Sequence, residues 1–164
     1  IDFDGEDPVG GKAREVGAEL RTFAANNGVK MTEEFYATAV RAALRGEGGI
    51  DPYIQEIKTQ AAGMYPAWAD KLQDPNSVLT VRDLANGYIT SMKNMLDLSD
   101  NDISLDNPIL NKALKAGTPN GDPAIMPLWQ FEKEVRSSDQ WKTSKAGQQV
   151  VTEAMNGIVQ KMGF

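Results

Sequence analysis

From residue 13 to residue 162 the apolar residues recur at three- and four-residue intervals, and glycine, proline or a capping residue cuts the series every ten to twenty residues. Spacing of this kind puts one face of a helix inward, and the interruptions set helix length. No segment between turn signals keeps the two-residue alternation of a half-buried strand. The expected class is all-α, a compact multi-helix bundle of about six or seven short helices.

After a break at Gly10-Gly11, Ala13, Val16, Leu20, Phe23 and Ala24 form the first stripe, which Asn27-Gly28 ends. Thr32 is placed to cap a second helix, with Glu33 and Glu34 in the first turn, where they complement the helix dipole. Phe35, Ala39, Val40, Ala43 and Leu44 form its inner face, and Gly46 closes it. Asp51-Pro52 is a strong start signal for a third run, Ile54, Ile57, Ala61, Trp68 and Leu72. Pro66 interrupts that run and predicts a kink or two shorter helices. Thr80, with Asp83 as capping-box partner, opens a helix whose inner face is Val81, Leu84, Ala85, Tyr88, Ile89, Met92 and Leu96. Pro108 opens a short helix ending at Gly117, and Asn120-Gly121 favours a tight turn. Pro127 begins a helix carrying Leu128, Phe131 and Val135. Ser144 caps the last one, with Val150 or Val151, Ala154, Ile158 and Met162 expected inside and Gly163 at its end.

Three segments result: an acidic, glycine-rich, linker-like stretch at 1–12, a helical hairpin at 13–46 and a helical bundle at 50–164. The opening Ile1 and its linker chemistry read as part of a longer or processed polypeptide. At 164 residues the chain is long enough to bury a core.

Composition removes whole classes of chemistry. With no cysteine and no histidine, disulfides, thiolate and imidazole metal sites, and Ser-His-Asp or Cys-His catalysis are excluded within this chain. The net charge of −6 and the lack of a basic stripe argue against nucleic-acid binding. The longest apolar runs fall far short of a membrane span. No cofactor is expected.

The candidate metal site is the acidic run at Asp97, Asp100, Asp102 and Asp106. A calcium loop starting at Asp100 places Asp102, Ser104 and Asp106 at alternating ligand positions, but puts Leu105 where glycine belongs and Asn111 where a bidentate Glu belongs. A helix-capping acidic loop is the favoured reading. Carboxylate pairs can cut a glycosidic bond without histidine, so Glu33, Glu34 and Glu47 are the candidates for a general acid. Helix-dipole compensation and a flexible loop explain them better, and no apolar pocket to raise a carboxyl pKa is evident. The glycines of "GEGG" and "PVGGK" lack phosphate-loop order, and the methionines read as packing.

The densest stretch is "MPLWQFEKEVRSSDQWKTSKAGQQVV", residues 126–151. Trp129 lies between Leu128 and Phe131, and one narrow face cannot bury all three. Trp141 follows Ser137-Ser138-Asp139, where a helix runs out. The pair pins the final helix in the core or, partly exposed, marks a protein interface, with the core role favoured. Trp68, Tyr88, Trp129, Phe131 and Trp141 are the residues expected to serve packing or partner contact.

This stretch, with its L-W-x-F-E-x-x-V-R helix followed by an acid, Trp and K-T, resembles the carboxy-terminal region of tape-measure and minor tail virion proteins of tailed actinobacteriophages. "TVRDLANGYITSMKNMLDL", "DNPILNKAL" and the terminal "MGF" are similar in order and spacing, so the resemblance covers about residues 50–164. It implies a non-enzymatic structural segment of a phage tail, in contact with other virion proteins as a symmetric homo-oligomer. No catalytic residue carries over. Tape-measure regions are long extended helices, and the frequent prolines and glycines here imply a globular end instead of the ruler. The alternatives are a virion-associated, muramidase-like domain with a Glu general acid, and a helical adaptor unrelated to phage.

Overall fold

The computed structural model describes residues 8–163. Regular structure among them is wholly helical, with ten α-helices, two 3-10 turns and no strand. The all-α class expected from the apolar spacing is therefore observed. Three of the ten helices are short pieces of four or five residues. The helices pack as two units, the first ending at Leu84 and the second beginning at Ala85. The segment limits expected at 46 and 50 fall inside the first unit.

The first unit holds α1 (Pro8–Asn26), α2 (Glu33–Arg45), α3 (Asp51–Met64), α4 (Ala69–Gln73) and α5 (Val81–Leu84). Gly10-Gly11 does not break the chain as expected, because α1 already starts at Pro8 and runs through both glycines. Proline suits a first helical position, where the missing N–H has no intrahelical partner to lose. Of the expected linker, residues 1–7 lie outside the described residues and 8–12 are helical.

α1 packs on α2 as a hairpin, as expected, but on α2 Tyr36, outside the expected stripe, is buried with Ala39, whereas Leu44, within it, is 39% exposed. Thr32 Oγ1 accepts from the Phe35 N–H at 3.2 Å, and Gly46 ends α2 at φ +70°, its N–H reaching the carbonyls of Ala42 and Ala43. Arg21 of α1 pairs with Glu33 at 2.7 Å and lies over the Tyr36 ring, 4.2 Å from its centroid. The ion pair is solvent-exposed and contributes at most about 1 kcal/mol.

Pro66 divides the third run into two helices, as expected. α3 stops at Met64, a 3-10 turn spans Pro66–Trp68, and α4 follows, with Trp68 buried. Lys58 is 3% exposed, and its Nζ donates to the carbonyls of Asp74 (3.0 Å) and Ser77 (2.6 Å), tying α3 to the loop after α4. The buried Asn27 joins α1 to α5 by donating to the Phe23 carbonyl and accepting from the Val81 N–H. The Thr80–Asp83 capping box forms in both directions, at 2.8 Å and 3.3 Å. The helix it opens is shorter than expected, since the stripe to Leu96 is interrupted at Ala85, next to Asn86-Gly87, two weak helix formers.

The second unit holds α6 (Asn86–Leu96), α7 (Pro108–Leu114), α8 (Leu128–Ser137), α9 (Asp139–Thr143) and α10 (Lys145–Lys161). α8 packs on α6, α7 and α9. Ile89, Met92, Leu110, Leu114, Phe131 and Val135 are among its buried side chains. Asn107 caps α7, which opens at Pro108 as expected. The loop to α8 turns at Thr118–Gly121, where the Gly121 N–H reaches the Thr118 carbonyl at 2.9 Å and Gly121 has φ +88°. The Met126 N–H, donating to the Ala113 carbonyl at 2.9 Å, returns the chain to α7.

Candidate interaction surface

α8 separates its aromatic residues by geometry. Residues two apart on a helix point about 200° apart, so with Phe131 inward Trp129 is turned outward. Phe131 is fully buried and meets Tyr88 edge-on, with ring centroids 5.2 Å apart. The Tyr88 hydroxyl donates to the Met126 carbonyl, and burial pushes its pKa up. Trp129 is 68% exposed and Leu128 41%, so the core role expected for Trp129 is overturned. The Trp129 indole borders a shallow hollow of about 350 Å³ with Gln130, Lys133, Glu134 and Ser137.

Trp141 is half-buried on α9. Its N–H is capped by Ser138 Oγ at 3.2 Å, and its carbonyl accepts from both the N–H (3.0 Å) and the hydroxyl (2.6 Å) of Ser144. Ser144 caps α10 in turn by accepting from the Gly147 N–H at 3.1 Å, as predicted. A Cβ at position 147 would overlap the Trp141 carbonyl oxygen, so this crossing of α9 and α10 accepts only glycine without rearrangement. The backbone of Trp141 thus links the caps of α9 and α10.

The side chains of α10 depart furthest from expectation. One of Val150 (52% exposed) and Val151 (51%) was expected inside with Ala154, Ile158 (58%) and Met162 (66%), and all five are outside. Met155 and Val159, absent from the expected stripe, extend it, and their spacing of four from Val151 and Met155 was the available signal. α10 packs on α9 and α6, yet Gly147 is its one buried residue among those whose side chains are described. The period correctly marks an apolar face, but among the described residues nothing in the unit covers that face.

The acidic loop is built as a cap. Ser99 donates its N–H (3.0 Å) and hydroxyl (2.7 Å) to Asp102 Oδ2, and these bonds hold the Asp102 carboxyl below the usual range. Asp100 pairs with Lys93 at 3.0 Å, and Asp97 takes the left-handed conformation (φ 54°) that ends α6. Leu105, at the would-be glycine position of a calcium loop, is buried with Ile103 and anchors the segment to the core. Asp100, Asp102 and Asp106 do not converge, and among the described residues no group of three or more acids is placed to hold a metal ion.

Glu33, Glu34 and Glu47 are exposed, and Glu33 is engaged by Arg21. An open hollow of about 680 Å³ lies between the 115–119 segment and α8, with the Lys112–Glu134 pair (2.8 Å) on its wall. Among the described residues no helix is long and apolar enough to cross a membrane. No family model, curated protein or solved structure matches the chain.

Proposed function

We propose that this chain is a non-enzymatic structural segment of a tailed-phage particle, the carboxy-terminal part of a tape-measure or minor tail protein, acting by assembly contacts. The observation that carries the assembly role is the uncovered apolar face of α10. Isolated helices of this length are marginal in water, and α10 contains two internal glycines, so cover from a partner would supply the stability its own unit does not. Several exposed apolar residues along one helix are the ordinary mark of an interaction site. The virion setting rests on the resemblance of residues 126–151 and the blocks before them, and would place the chain in the tail among other tail proteins. A muramidase-like activity needs a poorly solvated carboxyl beside a second one, and the exposed Glu33, Glu34 and Glu47 do not favour it.

Peptide mass spectrometry of purified particles from the source tests the proposal. Recovery of these peptides within a longer virion protein is the expected result. Their recovery only from a free-standing cellular protein would remove the phage reading.

A further inference from the structure

We propose that Asn120 is a self-modification site, converted in the folded chain to aspartate and isoaspartate through a cyclic imide closed by the backbone nitrogen of Gly121. Asn-Gly occurs four times, at Asn27, Asn86, Asn120 and Asn156. In such a pair the next backbone nitrogen can reach the side-chain amide carbon to close a five-membered ring, and glycine brings no Cβ to crowd the approach. The Gly121 nitrogen, its proton lost to solvent base, attacks Asn120 Cγ, and the side-chain amide leaves as ammonia. Water then opens the ring at either carbonyl. Opening at Cγ leaves the main chain intact as aspartate, and opening at the backbone carbonyl reroutes it through Cβ and Cγ as isoaspartate. One water enters and one ammonia leaves, with no change of oxidation state.

The fold holds back three of the four pairs. Asn27 is fully buried, with Nδ2 donating to the Phe23 carbonyl at 2.9 Å and Oδ1 accepting from the Val81 N–H at 3.2 Å, so its amide is pinned and out of water. Asn86 opens α6 and Asn156 lies inside α10, where closing the ring would rotate ψ out of the helical range. Asn120 lies in no helix, and residues 115–123 are all exposed. Its turn is held by the Gly121 N–H on the Thr118 carbonyl (2.9 Å) and the Asp122 N–H on Thr118 Oγ1 (3.0 Å). Opening an exposed turn of this kind costs less than unwinding a helix. Asn76 is exposed in a turn as well, but it precedes Ser77, whose side chain crowds the attacking nitrogen.

The conversion alters the loop and leaves the helices. Either product adds a negative charge close to Asp122, in a chain that already carries −6. Isoaspartate also lengthens the main chain inside a turn that the Thr118 N–H closes on the Asp122 carbonyl at 2.9 Å. That turn shapes the 115–119 wall of the open hollow beside α8. The bond from the Met126 N–H to the Ala113 carbonyl lies outside the turn and keeps the chain tied to α7. The modified chain therefore keeps its helix content and loses the shape of that wall.

The test holds the purified full chain at mildly alkaline pH, digests it under acid conditions, where ring closure stops, and reads each peptide by mass spectrometry. Circular dichroism follows helix content. Asn120 should convert fastest, by at least about tenfold over Asn86 and Asn27, because it needs only a loop to open. Asn156, on the exposed α10, should come second. The product at 120 should contain both isoaspartate and aspartate, the signature of a ring opened at either side. T118A, which removes the Oγ1 bond, should speed the conversion, and N120Q, whose longer side chain cannot close the five-membered ring, should abolish it in that peptide. In concentrated urea the four pairs should converge to similar rates. Another Asn-Gly pair converting as fast as Asn120 in the folded chain, or a product at 120 that is aspartate alone, overturns the proposal. So does an Asn120 that stays intact while the urea-unfolded chain converts.

Discussion

α2 and α10 start alike and finish in opposite surroundings. Each opens on a hydroxyl side chain, Thr32 or Ser144, bonded to an N–H three residues on, and each carries an apolar stripe. α2 buries Tyr36 and Ala39 while packing on α1, whereas α10 leaves Val151, Met155, Ile158 and Met162 to solvent. Capping and period specify that a helix forms and which side is apolar. What covers that side depends on whether the rest of the chain brings another apolar face to it.

The comparison can be strained first where cover is complete. Phe131→Ala should cost about 3 to 5 kcal/mol in chemical denaturation, since it empties a fully buried site and removes the edge contact of Tyr88. Tyr36→Ala, on the covered side of α2, is expected to cost about 2 to 4 kcal/mol, part of it from the Arg21 contact. The caps should separate the two helices more finely. Thr32→Ala should lower global stability by about 1 kcal/mol, whereas Ser144→Ala should fray α10 with little change in the main unfolding transition. Amide exchange along α10 reads that difference, and equal global losses would show α10 to be folded into the core after all. Ile158→Ala and Trp129→Ala, both on exposed side chains, should fall within about 0.5 kcal/mol in dilute solution.

The smallest effect is linked to pH. Burial raises the Tyr88 pKa, so the folded state holds that proton more tightly than the unfolded chain. Its contribution is complete below the unfolded value of about 10 and fades as pH rises through the folded value. Urea midpoints compared between about pH 9 and 11 should fall more for the wild type than for Tyr88→Phe. Parallel curves would exclude a role for this hydroxyl.

Much of the fold was legible because its signals are local. The Thr80–Asp83 box, the Asn107-Pro108 start, the Ser144 cap and the break at Pro66 each involve residues within a few positions of one another. Phe131 and Val135 were read as inward for the same reason. The errors had both local and long-range origins. Gly10-Gly11 looked like a break, since the helix-starting effect of Pro8 was not weighed against it. Trp129 was expected to pin the final helix as one of a pair with Trp141, but with Phe131 inward the same turn leaves it outside. The α10 stripe was expected inside because amphipathicity alone does not tell a core face from an uncovered one. The burial of Lys58 and the bond from Val81 to Asn27 gave no local sign, as these partners lie 16 to 54 positions apart.

Lys58 also gives the first unit a chemical reporter. Its amine is out of solvent and engaged by two carbonyls, so amine-acylating reagents should modify it only when the contact between α3 and the 74–77 loop opens. A solvent-facing amine such as Lys161 should react at once. The ratio of the two labelling rates, read peptide by peptide, would therefore time the opening of this one contact within the native protein.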